Sequence, residues 1–313
     1  MKIVAYSPGL RKEWDAYVAQ SKNGTFLFDR GYMDYHADRF TDSSLMVYDQ
    51  RGKLFALFPA NREKDTIFSH RGLTYGGLVI SEKATAVKVC EAMAAINHCL
   101  RTACISKVVY KAVPTIYNAL PADEPLYALT EVCHARLSNR DIASVVSLKN
   151  RIRLSELRRR GQKKAANNGV VIDYSNDFAS FWHILEDNLL KKYGSRPVHT
   201  LDEMLLLRER FPDAIRLLAA FHSGQMIAGT VLYITPSVVK TQYISASPEG
   251  KAIGALDLLF TQLLDHPPGA QQYVDFGTSA LEHSTELRQP LICQKEGFGA
   301  RAVCYDTYEW TLL

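Results

Sequence analysis

Residues Val238 to Ser279 read VVKTQYISASPEGKAIGALDLLFTQLLDHPPGAQQYVDFGTS. A strand-like run rich in β-branched and aromatic residues gives way to Ser, Pro and Gly. Helix-spaced apolar residues then run from about Ala252 to Leu264, and a second short strand surrounds Val274. Just upstream, AIRLLAAFHSGQMIAGTVLYI (Ala214 to Ile234) reads as strand, Ser-Gly turn, strand. Together these make a β-hairpin followed by β-turn-α-β.

The first half of the chain repeats that order. SLMVYDQRGKLFALFPANREKDTIFSH gives strand, hairpin turn at Asp49 to Lys53, strand and a further strand. A glycine-rich turn follows, then a helix from about Lys83 to Thr102 and a strand at Ser106 to Val113. Ahead of these, RKEWDAYVAQ (residues 11–20) is helical, and SKNGTFLF supplies a turn and a strand. The match lies in the order of elements rather than in residue identity, and it predicts a duplicated mixed α/β (α+β) unit. A chain of 313 residues also exceeds one ordinary core; at roughly 100–200 residues per domain it divides in two. The expected domains are 1–148 and 149–313, with the last strand, 304–313, able to return to the first.

Composition sets limits on function. Hydrophobic residues at 47% and charged residues at 22% are those of a folded protein rather than a disordered one. The net charge is +4, yet Lys149 to Lys164 alone carries eight Lys or Arg against one Glu. The basicity is therefore local, which favours one anionic partner over a surface that coats polyanions. No apolar run reaches the 18 or so residues that span a bilayer, and the N-terminus lacks the apolar core of a secretory signal. A cytoplasmic protein without membrane insertion is expected. Six cysteines and nine histidines show no C-x-x-C, H-x-x-x-H or H-E-x-x-H spacing, so reduced thiols and no metal are expected.

The basic stretch RLSELRRRGQKKAANNGV, Arg153 to Val170, is helical until Asn167, Asn168 and Gly169 stop it. Leu154, Leu157, Gly161 and Ala165 form its packing stripe, with Arg159 and Lys163 one turn apart on a flank. It is either a solvated helix opening the second domain or a phosphate or RNA contact.

Several segments together resemble the Fem-type (FemAB) peptidyltransferases and their relatives in the GNAT (Gcn5-related N-acyltransferase) superfamily. They are WDAYVAQSKNGTFLF, GLTYGGLVI, LRRRGQKKAANNGVVIDY, the run from Leu190 to Ile234, YISASPEG, DFGTS and CQKEGFGA. The resemblance implies two tandem GNAT-like domains facing each other across a cleft, in a protein that moves an acyl or aminoacyl group onto an amine. It implies an acyl-CoA donor such as acetyl-CoA. Two alternatives are an aminoacyl-tRNA-dependent peptidyltransferase acting on a peptidoglycan precursor, and a non-catalytic protein that binds RNA or an anionic polymer through Arg158 to Lys164.

Amine acylation needs a bound donor, a neutral amine near its carbonyl, oxyanion support and a proton acceptor. G-x-S-x-G is absent, so direct transfer without a covalent enzyme intermediate is the natural mechanism. In GNAT proteins a Q/R-x-x-G-x-G/A loop cradles the donor pyrophosphate with backbone N–H groups. SPEGKAIG keeps part of that spacing through Ser247, Gly250 and Ala252; Lys251 supplies charge and Gly254 allows close approach. A plain turn and helix start is the competing reading.

QKEGFGA resembles the F-K-x-x-F-G signature of Fem-type enzymes and puts Lys295 in the acceptor cleft near the reacting carbonyl. Asp275, in a strand whose burial would raise its pKa, is a general base, an amine-orienting group or the cap of the Gly277 turn. His199 is the second candidate base. Tyr75 and Tyr243 sit at strand ends and either donate a proton to a ligand or are buried structural tyrosines. Lys192, Tyr193 and Arg196, in the KKYGSRPVHT loop, suit a small-molecule, peptidyl or carbohydrate-linked amine acceptor that carries negative charge.

Overall fold

The computed structural model describes residues 1–279 and 287–312, without the side chain of Tyr193. The chain divides into two compact units: Met1–Asp141 with Cys304–Leu313, and Ile142–Val303. In both, a β-hairpin precedes a strand, a helix and another strand.

In the first unit the hairpin strands Leu45–Tyr48 and Leu54–Phe58 are joined by the expected turn, closed by Asp49 N–H donating to the Lys53 carbonyl at 2.9 Å. They form an antiparallel sheet with Lys2–Ala5 and Val79–Ile80. Helix Ala86–Thr102 buries Val89, Met93, Ile96 and Leu100, a spacing of 3 to 4 residues that presents one stripe to the core. It starts three residues later than the sequence suggests, because Thr85 is still extended. Strand Lys107–Lys111 follows and pairs in parallel with Thr66–Phe68. The expected strand in SKNGTFLF is instead a 3-10 turn at Phe26–Phe28, whose Leu27 and Phe28 are buried. The Phe28 carbonyl accepts the Trp14 indole N–H at 2.8 Å, which ties the turn to helix Arg11–Gln20.

In the second unit the hairpin strands Ile215–His222 and Gln225–Ile234 meet at Ser223 and Gly224, both with positive φ (49° and 80°), as a tight hairpin of right-handed twist requires. Val238–Ala246 adds antiparallel, and Tyr273–Thr278 adds parallel to it. Between those two strands the sequence suggests one helix from Ala252 to Leu264. Two form: Pro248–Ile253 and Ala255–Asp265, broken at Gly254 in the left-handed region at φ 82°.

Gly254 also meets the basic helix, Glu156–Asn167, at close range. A Cβ on Gly254 would lie 2.7 Å from the Gly161 carbonyl oxygen, and one on Gly161 would lie 1.8 Å from Asp257 Oδ2. The packing face of the basic helix is therefore Arg158, Gly161 and Ala165. Leu157, expected in that stripe, is 58% exposed, and Leu154 precedes the helix. Gly254 lets the basic helix approach closely.

Substituting Gly254 by Ala should lower the unfolding free energy by about 1–3 kcal/mol from strain, and by more where the Gly161 contact must open. Gly169, at φ 74° with nothing within 4 Å of an added Cβ, has the strain without the clash. Urea denaturation of Gly254→Ala and Gly169→Ala should rank the first as the more damaging.

Candidate functional site

Strands Val238–Ala246 and Tyr273–Thr278 stay in register for three residue pairs only, ending at Lys240 opposite Asp275. Both run on beyond that point, and they part. Two irregularities accompany the parting. The register between Val231 and Leu232 shifts so that Gln242 is an extra residue, which returns Tyr243 to the face that carries Lys240. Gly277, at φ 71°, bends the other strand.

A cavity of about 360 Å³ is bounded by both strand ends, lined by Ile244, Ser245 and Ala246 from one and Phe276 from the other. Its floor includes Phe260, Phe276 and Phe298, whose ring centroids are 5.0 to 5.7 Å apart. Helix Phe178–Tyr193 supplies Leu185, Leu189, Asn188 and Lys192. Asn188 pins this helix to the free strand end, donating to Ser245 Oγ at 2.7 Å and to the Ala246 carbonyl at 2.8 Å, while its own carbonyl oxygen accepts from Lys251 Nζ. Three cations, Lys192, Lys251 and Lys295, line an otherwise mostly apolar space.

Lys295, on helix Gln289–Glu296, is buried and donates three hydrogen bonds of 2.9 Å, to the carbonyls of Gly277 and Thr278 and to Ser279 Oγ. An ammonium has three protons, so all are engaged. Burial pushes its pKa down to about 8, with Lys240 acting in the same direction and the Asp275 carboxylate opposing. Asp275 is fully buried; its Oδ1 accepts from Gly277 N–H at 2.7 Å, and Oδ2 lies 3.6 Å from Lys240 Nζ. The carboxylate caps the Gly277 turn and faces the buried Lys240 ammonium.

Tyr243 and His199 form a pair. The Tyr243 oxygen accepts the backbone N–H of His199 at 3.2 Å and lies 2.5 Å from His199 Nδ1. With Nδ1–H donating to the phenol oxygen, the imidazole lone pair sits on Nε2; with the phenol O–H donating to Nδ1, Nε2 carries the proton instead. Trp182 packs edge-on against the Tyr243 ring at 5.2 Å.

Several of the remaining expected residues have partners of their own. Ser247 caps the short helix, its Oγ accepting from Gly250 N–H at 3.1 Å. Gly250 is buried with the Ile227 carbonyl oxygen only 2.4 Å from where a Cβ would stand, so its lack of a side chain serves helix-on-strand packing. The Ala252 carbonyl accepts from Lys164 Nζ at 2.8 Å. Tyr75 belongs to the first unit and is a core tyrosine, 1% exposed, hydrogen-bonded to Thr25 Oγ1 and packed on Tyr117. Arg196 is exposed, and the Tyr193 side chain lies outside the described residues. On the basic helix Arg159 pairs with Glu156, and Lys163 is exposed. Sequence reasoning missed Lys240, Asn188 and Ser245; none stands in a motif. Among the described residues no cluster of His, Cys, Asp or Glu could hold a metal ion, and no helix is long and apolar enough to cross a membrane.

No protein-family model and no curated protein matches the chain. Solved structures do. FemX superposes with a TM-score of 0.70 at 9% identity, over 99% of this chain and 97% of its own. The C-terminal DUF2156 domain of a putative lysylphosphatidylglycerol synthetase from Agrobacterium fabrum gives 0.62 at 11% identity, over 98% and 93%. A tandem GNAT protein from the clavulanic acid biosynthesis pathway gives 0.56 at 11% identity, over 100% and 98%. The chain thus has the fold of the FemAB-like, tandem GNAT proteins.

Lys295 binds fewer protons folded than unfolded between its pKa of about 8 and the ordinary 10.5. The stability it contributes therefore rises with pH through that window, as the cost of burying its charge disappears. Urea titrations at the two ends of the window should show this rise as a difference between the native protein and Lys295→Met, the other groups that titrate there being common to both.

Proposed function

We propose that the chain is an N-acyltransferase that moves an acyl group from an acyl-CoA donor directly to an amine acceptor, with the donor held in the cavity of the second unit. The observation that carries this reading is the parting of the two strands after Lys240 and Asp275, with a mostly apolar cavity at the gap and lysines on its wall. A pantetheine arm is a thin, semi-polar chain. It would find apolar walls in Ile244, Phe260 and Phe276, and the backbone polar groups of a strand end, Ile244 to Ala246, that the neighbouring strand does not pair. Lys192 and Lys251 would face the donor's phosphates.

Transfer needs the amine nitrogen to attack the thioester carbonyl, a proton to leave that nitrogen and the thiolate to be protonated. In the proposed mechanism His199 takes the amine proton at Nε2, directly or through water, while the Tyr243 hydroxyl gives its proton to the departing sulfur and is reprotonated by His199 Nδ1–H. Lys295 and Asp275 are assigned to holding the strand end that shapes the cavity.

A second reading, with an aminoacyl ester as donor, is favoured by the likeness to FemX and to the lysylphosphatidylglycerol synthetase domain. A polyanion-binding role for the basic helix finds less support. Arg158 is bound to Asp257 at 2.5 Å, Arg159 to Glu156 and Lys164 to a carbonyl, so much of the charge is engaged within the protein.

Thermal melts separate these readings. CoA or acetyl-CoA at about a hundredfold above Kd should stabilise the fold by about 2.7 kcal/mol, a rise of several degrees in Tm. No rise with either, and a rise with aminoacyl-tRNA, would select the second reading. With acetyl-CoA and a panel of amines, Tyr243→Phe should lower kcat about a hundredfold with KM little changed, read as CoA thiol release. An unchanged kcat would remove Tyr243 from the mechanism.

A further inference from the structure

Strands Val171–Ser175 and Ile215–His222 and helix Leu201–Arg210 contribute to a second recess in the same unit, of about 260 Å³, which shares no lining residue with the donor cavity. Arg208 and Arg216 line it, and no Asp or Glu does. Both guanidinium groups are held. Arg208 Nη2 donates to Asn176 Oδ1 at 2.7 Å, and the Arg216 guanidinium carbon lies 3.5 Å from the centroid of the Tyr174 ring. Neither makes an ion pair with a carboxylate among the described residues.

The acids nearest in sequence are turned to other tasks or to solvent. Asp177 caps helix Phe178–Tyr193 through Ser180 N–H and Ser180 Oγ, Asp173 accepts the N–H of Tyr174, and Glu209 and Asp213 are exposed.

Two half-buried arginines without a counter-charge are an unusual use of surface, since Arg in such places ordinarily pairs with a carboxylate. Stacking on Tyr174 covers one face of Arg216 and leaves its edge N–H donors free to point in-plane. Arg208, fixed by Asn176, keeps further donors for a second partner. Forked donors from two sides suit an oxyanion with several acceptor oxygens. The volume is below the roughly 300 Å³ at which drug-sized ligand pockets begin, so the occupant is small.

We propose that this recess binds a phosphate group, free or on a small ester, with its oxygens on Arg208 and Arg216 and any carbon portion against Pro212 and Leu217. The site is independent of the donor reading, although helix Phe178–Tyr193 lines both spaces, through Phe178 here and through Leu185 to Lys192 there.

Calorimetric titration of the full chain at low salt, with inorganic phosphate and with glycerol 3-phosphate, tests it. The expected result is saturable binding with Kd on the order of 1 mM. Arg208→Gln and Arg216→Gln should each weaken it roughly tenfold, and Arg208→Lys less. Glycerol 3-phosphate binding more tightly than phosphate assigns the site to an ester; equal binding assigns it to the free ion. Lys251→Ala, in the donor cavity, should leave both titrations unchanged. Circular dichroism melts establish that each variant is folded, and either Arg→Gln variant alone suffices if the other is not. Absence of saturation in the native protein, or a loss in Lys251→Ala with none in the arginine variants, overturns the proposal.

Discussion

Where two strands part, their backbone polar groups lose the neighbour that would have satisfied them, and in a dry interior each such loss costs about 1–3 kcal/mol. The second unit meets that cost at the Gly277 turn with one buried ammonium. Lys295 takes the carbonyls of Gly277 and Thr278, and Asp275 takes the Gly277 N–H. With these groups satisfied, strand Tyr273–Thr278 can end in a bend instead of continuing alongside Val238–Ala246. The cavity, its aromatic floor and the strand end that Tyr273–Thr278 leaves unpaired all follow from that substitution of side chain for ladder. A carboxylate between two ammonium groups keeps the local charge from accumulating without a partner.

How much of this the sequence discloses depends on distance along the chain. The Ser223-Gly224 hairpin, the strand–helix–strand order and the helices at Arg11–Gln20 and Ala86–Thr102 are carried by local signals, and they were legible. Helix Leu201–Arg210 carries a local signal as well, the Thr200–Glu203 capping box. The bulge at Gln242 is not: a β-strand's alternation has no mark for one extra residue, and without it Tyr243 falls on the wrong face. Nor is the bond between Lys295 and Gly277, 18 residues apart, because burial and not spacing creates it. Tyr75 is a case the sequence leaves open. A tyrosine beside glycines at a strand end suits a ligand site and a core equally, and the contacts of Tyr75 with Tyr117 and Thr25 are those of a core residue.

The glycines in SPEGKAIG illustrate a broader ambiguity. Their spacing is shared by phosphate loops and by tight helix packing, since both need backbone to approach something closely. Here Gly250 yields to a neighbouring strand and Gly254 to Gly161 of the basic helix. That helix is a strut whose inward face is partly charged. Burial raises the pKa of Asp257, and Arg158 opposes the rise, which keeps a salt bridge inside a contact otherwise made of glycine and alanine.

The path of the chain has a consequence for its synthesis. Trp310 is a core residue of the first unit, 5% exposed, with its indole N–H on Asn97 Oδ1, and it lies in the strand that pairs with Lys107–Lys111. On a ribosome that residue emerges after every residue of Ile142–Val303. The segment begun first is thus completed last, and its helix Ala86–Thr102 must wait, with one polar amide and part of its apolar stripe unsealed, while the later-made unit is free to close around its own centre.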